Sequence, residues 1–188
     1  MEAFAVSVQR IAILGAESSG KSTLAAALAG HYGTLWVPEY LREFVDTRQR
    51  VPFEADQVVI ARTQMLREEE AASRASRWLF CDTTPLMTAL YSRFYWHRVD
   101  EELAQMAARH PYAATFVAAP DTPWEADGLQ RESAEIRDYV HGQVLEALRA
   151  RGIAFTLLEG GVEERVARAA EVLAKLGGQD RRISDRRK

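Results

Sequence analysis

Cys81 is the only cysteine of the chain, which excludes an internal disulfide and any zinc site built from clustered cysteines. Four histidines, His31, His97, His110 and His141, fall at no metal-binding spacing. His31 reads instead as a cation in the last turn of a helix, where positive charge is favourable. No apolar stretch approaches the roughly 20 residues of a membrane span. Met1 to Arg10 lacks the charged-then-apolar pattern of a signal peptide, so the default expectation is a cytoplasmic protein without a membrane partner. A formal net charge of −3 argues against a surface that binds nucleic acid non-specifically. Only residues 181–188 are strongly basic, and residues 179–188 read as a solvated, disordered tail. Internal repeats and low-complexity linkers are missing too. What is left is ordinary: 188 residues, 47% hydrophobic and 27% charged, enough for one domain with a proper core over residues 1–178.

One stretch is not ordinary. Gly15-Ala16-Glu17-Ser18-Ser19-Gly20-Lys21-Ser22 spells G-x-x-x-x-G-K-S, the phosphate-binding loop. The apolar run Ile11 to Leu14 before it reads as a buried strand. Thr23 to His31 after it is rich in Ala and Leu and reads as a helix. That order is what the chemistry needs. Glycines let the backbone wrap a phosphate without Cβ clashes, and main-chain N–H groups at a helix N-terminus then face the anion. Residues Gly15 to Thr23 are therefore the candidate nucleotide cradle. Lys21 would reach the β- and γ-phosphates, and the Ser22 hydroxyl would ligate Mg²⁺.

Apolar strands and helical patterns alternate along the chain. Strands are expected at Leu35–Val37, Trp78–Cys81, Ala113–Ala118 and Ile153–Leu158 as well as before the loop. Tyr40 to Phe53 reads as a looser stretch. A long helix near Glu54 to Arg74 carries Val58, Ala61, Met65 and Ala72 on one face, with Glu68-Glu69-Glu70 as a solvated face. Further helices are expected over Thr83–Tyr95, from an Asp100 cap to before Pro111, from a Ser133 cap to Arg149, and over Val162–Leu176. Five short strands separated by helices imply an α/β fold, a five-stranded parallel sheet covered on both faces. Ligands bind such sheets at the carboxyl ends of the strands. Those ends carry the phosphate loop, Glu39, Asp82, Asp121 and Glu159-Gly160-Gly161. Asp82 sits where a strand closed by Asp holds Mg²⁺ or takes a proton, and Glu39 has the same choice. Residues 121–133, with a tryptophan among carboxylates and Arg131 and Arg137 nearby, resemble a lid that closes over phosphates. Tyr91, Phe94, Tyr95 and Trp96 lie at helical spacing and read as core.

With these residues in place, the chain resembles the ribosylnicotinamide kinase domain of NadR-type proteins and their free-standing relatives. The resemblance rests on Gly15 to Thr23, on Pro38-Glu-Tyr-Leu-Arg-Glu-Phe44, on Cys81-Asp-Thr-Thr-Pro-Leu86 and on Asp121-Thr-Pro-Trp-Glu-Ala-Asp-Gly-Leu129. It implies the P-loop fold of nucleoside and nucleotide kinases. It also implies transfer of phosphate from Mg-ATP to the 5′-hydroxyl of nicotinamide riboside. Lys21, Mg²⁺ on Ser22 and Asp82, and a lid arginine, Arg131 the candidate, would supply positive charge. Glu39 or Asp82 would orient the hydroxyl and take its proton, with Asp82 preferred. Glu39, Tyr40, Arg42, Asp82, Trp124 and Asp127 make up the expected acceptor side. There Trp124 and Tyr40 would hold the cationic ring by stacking and cation–π attraction, and Asp127 the ribose hydroxyls. Two other functions fit the same loop: a P-loop kinase of another nucleoside or nucleotide, and a regulatory nucleotide-binding ATPase. The oligomeric state stays open, a homo-oligomer included.

Overall fold

The computed structural model of the chain describes residues 7–123 and 133–185. Five strands, β1 (Gln9–Leu14), β2 (Leu35–Val37), β3 (Trp78–Asp82), β4 (Ala114–Ala118) and β5 (Thr156–Leu158), pair in the order β2-β3-β1-β4-β5. Every pairing is parallel. The sequence dictates this: strands with both faces buried read as continuous apolar runs, and parallel neighbours require helical crossovers.

Alternate residues of β1 feed two cores. Ile11 and Ile13 join Phe80 and Phe116 beneath α1 (Lys21–Tyr32) and α7 (Val162–Asp185), where Leu24, Leu28, Ala169 and Leu173 close the layer. Ala12 and Leu14 face the other way with Val117. They meet Leu86 and Met87 of α4 (Pro85–Trp96) and Val140, Val144 and Leu148 of α6 (Ala134–Ala150). A satellite cluster of Ala61, Ala89, Leu103 and Met106 ties α3 (Asp56–Ala72) and α5 (Glu101–Arg109) to α4. The expected caps are in place. Asp100 accepts the N–H groups of Glu102 and Leu103, and Ser133 accepts that of Ile136. Among the described residues, no helix is long and apolar enough to cross a membrane.

Three local readings change. The stretch after β2 is not loose: α2 (Tyr40–Arg48) starts directly at Glu39 without a side-chain cap, so no capping signal betrayed it. Residues 153–155 do not join β5. The helix α7 continues through Gly177 to Asp185, where the glycine pair reads as a stop.

The acidic run also divides. Glu69 and Glu70 are exposed, but Glu68 is 1% exposed and its carboxylate accepts the Tyr112 hydroxyl at 2.9 and 3.1 Å. Burial raises this carboxyl from 4.5 to about 7, against the opposing pull of the Tyr112 hydroxyl and the Arg10 charge. Between those two values the folded chain keeps a proton that the unfolded chain has released. Stability from this group is complete below the lower value and falls as pH rises through the upper one. Glu68→Gln should therefore gain stability relative to wild type between about pH 5 and about pH 8, by up to roughly 3 kcal/mol. Urea denaturation across that range measures it, and a pH-independent difference between the two proteins would refute the account.

Candidate active site

Strand β1 ends at the phosphate loop, whose backbone favours glycine at its two ends. At Gly15 (φ +156°) a Cβ would sit 2.5 Å from the Ser19 hydroxyl and 3.1 Å from the Ala118 carbonyl. Gly20 adopts the left-handed region at φ +80°. The first turn of α1 has no side-chain cap, so its leading N–H groups are left for an anion. Residues 18–23 line a cavity of about 650 Å³, completed by Arg42, Thr122, Pro123, Gly160, Gly161, Val162 and Arg165.

Lys21 is buried at the floor of this cavity, its ammonium 3.4 Å from the Glu39 carboxylate. Desolvation would lower its pKa, but attraction to Glu39 and then Asp82 outweighs that and leaves it raised. Asp82 is 1% exposed and accepts the Ser22 hydroxyl at 2.5 Å. Burial lifts its carboxyl to about 6, opposed by the Lys21 charge and aided by Glu39. Its second oxygen, Oδ1, is buried without a hydrogen-bond partner, as are the hydroxyls of Thr83 and Thr84. An orphaned carboxylate oxygen beside a serine hydroxyl is an oxygen-only donor set that suits Mg²⁺ when phosphates and water complete the shell. Ser22 and Asp82 are thus the residues that would hold one. Among the described residues, no cluster of three His, Cys, Asp or Glu side chains forms a metal site of its own.

A second cavity, of about 310 Å³, opens on the other side of Lys21. Glu17, Glu39 and Gln57 contribute its polar wall, and Tyr91, Tyr95 and Trp96 its aromatic one. The aromatic cluster of α4, which reads as core by its spacing, is divided: Tyr91 packs on the core and also lines this cavity with Tyr95 and Trp96, whereas Phe94 does not line it. Tyr95 is 43% exposed, and Tyr91 and Tyr95 stack at 6.2 Å between ring centres. The helix turns Tyr95 and Trp96 toward the cavity, while Tyr91 bridges the cavity and the core beside the sheet.

The remaining candidates divide by position. Arg42 lines the first cavity rather than the second, and it has no hydrogen bond or ion pair among the described residues. Glu17, part of the loop motif, faces the second cavity instead of the first. Tyr40 lines neither: its ring lies under the Arg67 guanidinium at 4.5 Å and against Phe44. Ala16 is buried behind the loop. Trp124, Asp127 and Arg131 lie outside the described residues, as does most of the expected lid.

Arg165 was not legible in the sequence. It is 2% exposed, and it donates to the Ser19 carbonyl at 2.6 Å, to the Gly160 carbonyl at 2.9 Å and to the Ala119 carbonyl at 3.0 Å, with an ion pair to Asp121. One guanidinium thus braces the phosphate loop, the end of β4 and the turn after β5. The only available signal was an arginine one helical turn beyond Gly160-Gly161 at a strand end.

A parallel sheet of this order with a phosphate loop after its first strand defines a P-loop nucleotide-binding domain. The sequence matches the AAA domain family over residues 10–165, and the chain belongs to that family. It is similar to the trifunctional NAD biosynthesis/regulator protein NadR of Salmonella typhimurium, with 27% identity over 180 residues. That alignment covers 92% of this chain and 43% of NadR, so the chain spans less than half the length of this curated relative. The crystal structure of NadR protein in complex with NR superposes with a TM-score of 0.71 at 19% identity, over 82% of this chain and 46% of that one. Thymidylate kinase from Candida albicans superposes with a TM-score of 0.65 at 12% identity, over 90% and 92%. The shared fold is that of P-loop nucleotide kinases.

Replacing Arg165 by Met would take the donor from the Ser19, Ala119 and Gly160 carbonyls and leave Asp121 with the Gly160 N–H. Leaving buried carbonyls without a donor should cost about 1–3 kcal/mol, read by chemical denaturation, together with weaker nucleotide binding in a calorimetric titration. A variant as stable as wild type would contradict the bracing role.

Proposed function

We propose that this chain transfers the γ-phosphoryl group of ATP to the 5′-hydroxyl of nicotinamide riboside, yielding nicotinamide mononucleotide and ADP. The observation that carries this reading is the position of Lys21, whose side chain lines both cavities. A phosphate chain on one side and a small acceptor on the other would meet at its ammonium. The acceptor cavity has carboxylates and aromatic rings together in its lining, which suits a planar cationic ring on a ribose. The NAD-biosynthesis relative and the structural likeness to NadR with bound NR lend the substrate class further support.

The roles then divide by cavity. Phosphoryl transfer asks mainly for positioning and charge neutralisation. Lys21 holds the β- and γ-phosphates, Arg42 adds a second cation over the transferred group, and the α1 N-terminus receives the phosphate oxygens. Ser22 and Asp82 would hold Mg²⁺, which when bound would supply charge neutralisation for the transferred phosphate. Glu39, in the acceptor wall, orients the 5′-hydroxyl and takes its proton as that oxygen bonds to the γ-phosphorus and the bond to the β-phosphate oxygen breaks. This assignment reverses the sequence-based preference for Asp82 as base, because Asp82 is hydrogen-bonded to Ser22 on the phosphate side. Tyr91, Tyr95 and Trp96 enclose the ring.

Mass spectrometry after incubation with nicotinamide riboside, Mg²⁺ and ATP should find the mononucleotide, with thymidine and nucleoside monophosphates phosphorylated far less. ATP hydrolysis without any phosphorylated acceptor would defeat the proposal. Lys21→Met should lower kcat by about 10²–10³ through loss of the transition-state cation. Trp96→Ala should raise the acceptor KM roughly 2- to 30-fold, the worth of one cation–π contact, and leave the KM for ATP in place. Equal effects on both substrates would remove Trp96 from the acceptor site.

A further inference from the structure

Glu17 is a variable position of the phosphate-loop motif, yet its side chain does not face the phosphate cavity. It lines the acceptor cavity, across Lys21 from the residues that would hold a nucleotide. The loop is turned there by its neighbours: Ala16 is fully buried beneath it, Ser18 adopts a left-handed φ of +59°, and the Ser19 hydroxyl ties back to the Ala16 carbonyl at 2.8 Å. A hydrogen bond between the Glu17 main chain and Tyr91 fixes the loop against the aromatic wall. Among the described residues lining that cavity, the charged ones are the carboxylates of Glu17 and Glu39 and the ammonium of Lys21. Glu39 is committed to Lys21 at 3.4 Å, and a bound polyphosphate would draw the ammonium further toward the other cavity. The negative field reaches the rings: burial raises the Tyr91 hydroxyl pKa most, and the Glu17 and Glu39 charges add to it.

We infer that Glu17 selects the acceptor by charge, favouring a nucleoside whose planar ring is cationic over a neutral ring of the same shape. The inference rests on the acceptor-site reading above and adds to it the residue that sets specificity. It places one residue of the phosphate loop in contact with each substrate's territory: Lys21 serves the donor, and Glu17 reads the acceptor.

The test uses nicotinamide riboside and its neutral 1,4-dihydro form, which share the ribose, the carboxamide and the 5′-hydroxyl and differ in ring charge. Binding is measured by calorimetry and phosphorylation by mass spectrometry, for wild type, Glu17→Gln and Glu17→Asp. Wild type should prefer the cation, and Glu17→Gln should lower the cation-to-neutral ratio of kcat/KM and of affinity about tenfold, as expected for one partly screened charge near the ring. Glu17→Asp should retain most of the preference. A Gln variant with an unchanged ratio, or a wild type that favours the neutral ring, overturns the inference and leaves the kinase reading standing. Cation-selective binding that depends on Glu17 without any phosphorylation would uphold the inference and defeat the kinase reading.

Discussion

The site is organised around a buried ammonium. Taking the Lys21 charge out of water costs several kcal/mol unless opposite charge comes with it. Here two carboxylates do, Glu39 at 3.4 Å and Asp82 through its field. Neither neighbours Lys21 in sequence. They meet it because the order β2-β3-β1 sets the carboxyl ends of three strands side by side. Topology and electrostatics are therefore one constraint: the sheet order brings Glu39 and Asp82 to the loop, and their charges make a buried lysine tolerable there. Asp82 pays in return, since burial holds its carboxyl near 6, and cationic ligands on its orphaned oxygen would relieve it.

Arg165 performs the complementary task on the other half of the sheet. The order β1-β4-β5 places the ends of β4 and β5 beside the loop, and α7 turns back over them. Every side of the Arg165 guanidinium is occupied by carbonyls or by Asp121. Its donors are spent within the protein, so it fixes the loop rather than binding a ligand. Arg42 is the opposite case: a cation at the cavity wall with its donors uncommitted among the described residues. Two arginines within one cavity thus differ in what they have left to offer, and planar five-donor geometry makes each good at its task.

The sequence carried the fold well because its signals are local. Apolar runs, the Asp100 and Ser133 caps and the glycine pattern of the loop each report on a few neighbouring residues. The errors came where neighbours do not decide. Glu68 looks like its two acidic neighbours and is buried because Tyr112, 44 residues away, supplies a hydroxyl. Tyr91, Tyr95 and Trp96 have the spacing of core, and only the placement of α2 opposite them turns that face into a cavity wall. Tyr40 sits in the quoted motif, but Arg67 on α3 claims its ring. Glu17 reads as part of the main-chain phosphate cradle, and the motif carries no signal that its side chain lines the second cavity.

The two cavities carry opposite signs, and that difference does more than hold each ligand. The phosphate side gathers Lys21, Arg42 and an uncapped helix N-terminus, whereas the acceptor side adds Glu17 and Glu39. A polyphosphate entering the acceptor cavity would face two carboxylates, and a cation entering the phosphate cavity would face an ammonium and a guanidinium. Like-charge contacts of this kind cost several kcal/mol, more than the binding energy lost by leaving any single contact unmade. On the proposed reading, discrimination would come from repulsion as much as attraction. Lys21 can stand at the boundary because it is the one group attracted to both sides, to Glu39 on one and to phosphate on the other. On the proposed reading, a polyphosphate drawing on its ammonium would leave the Glu39 charge less balanced, so that filling the first cavity would make the second more negative.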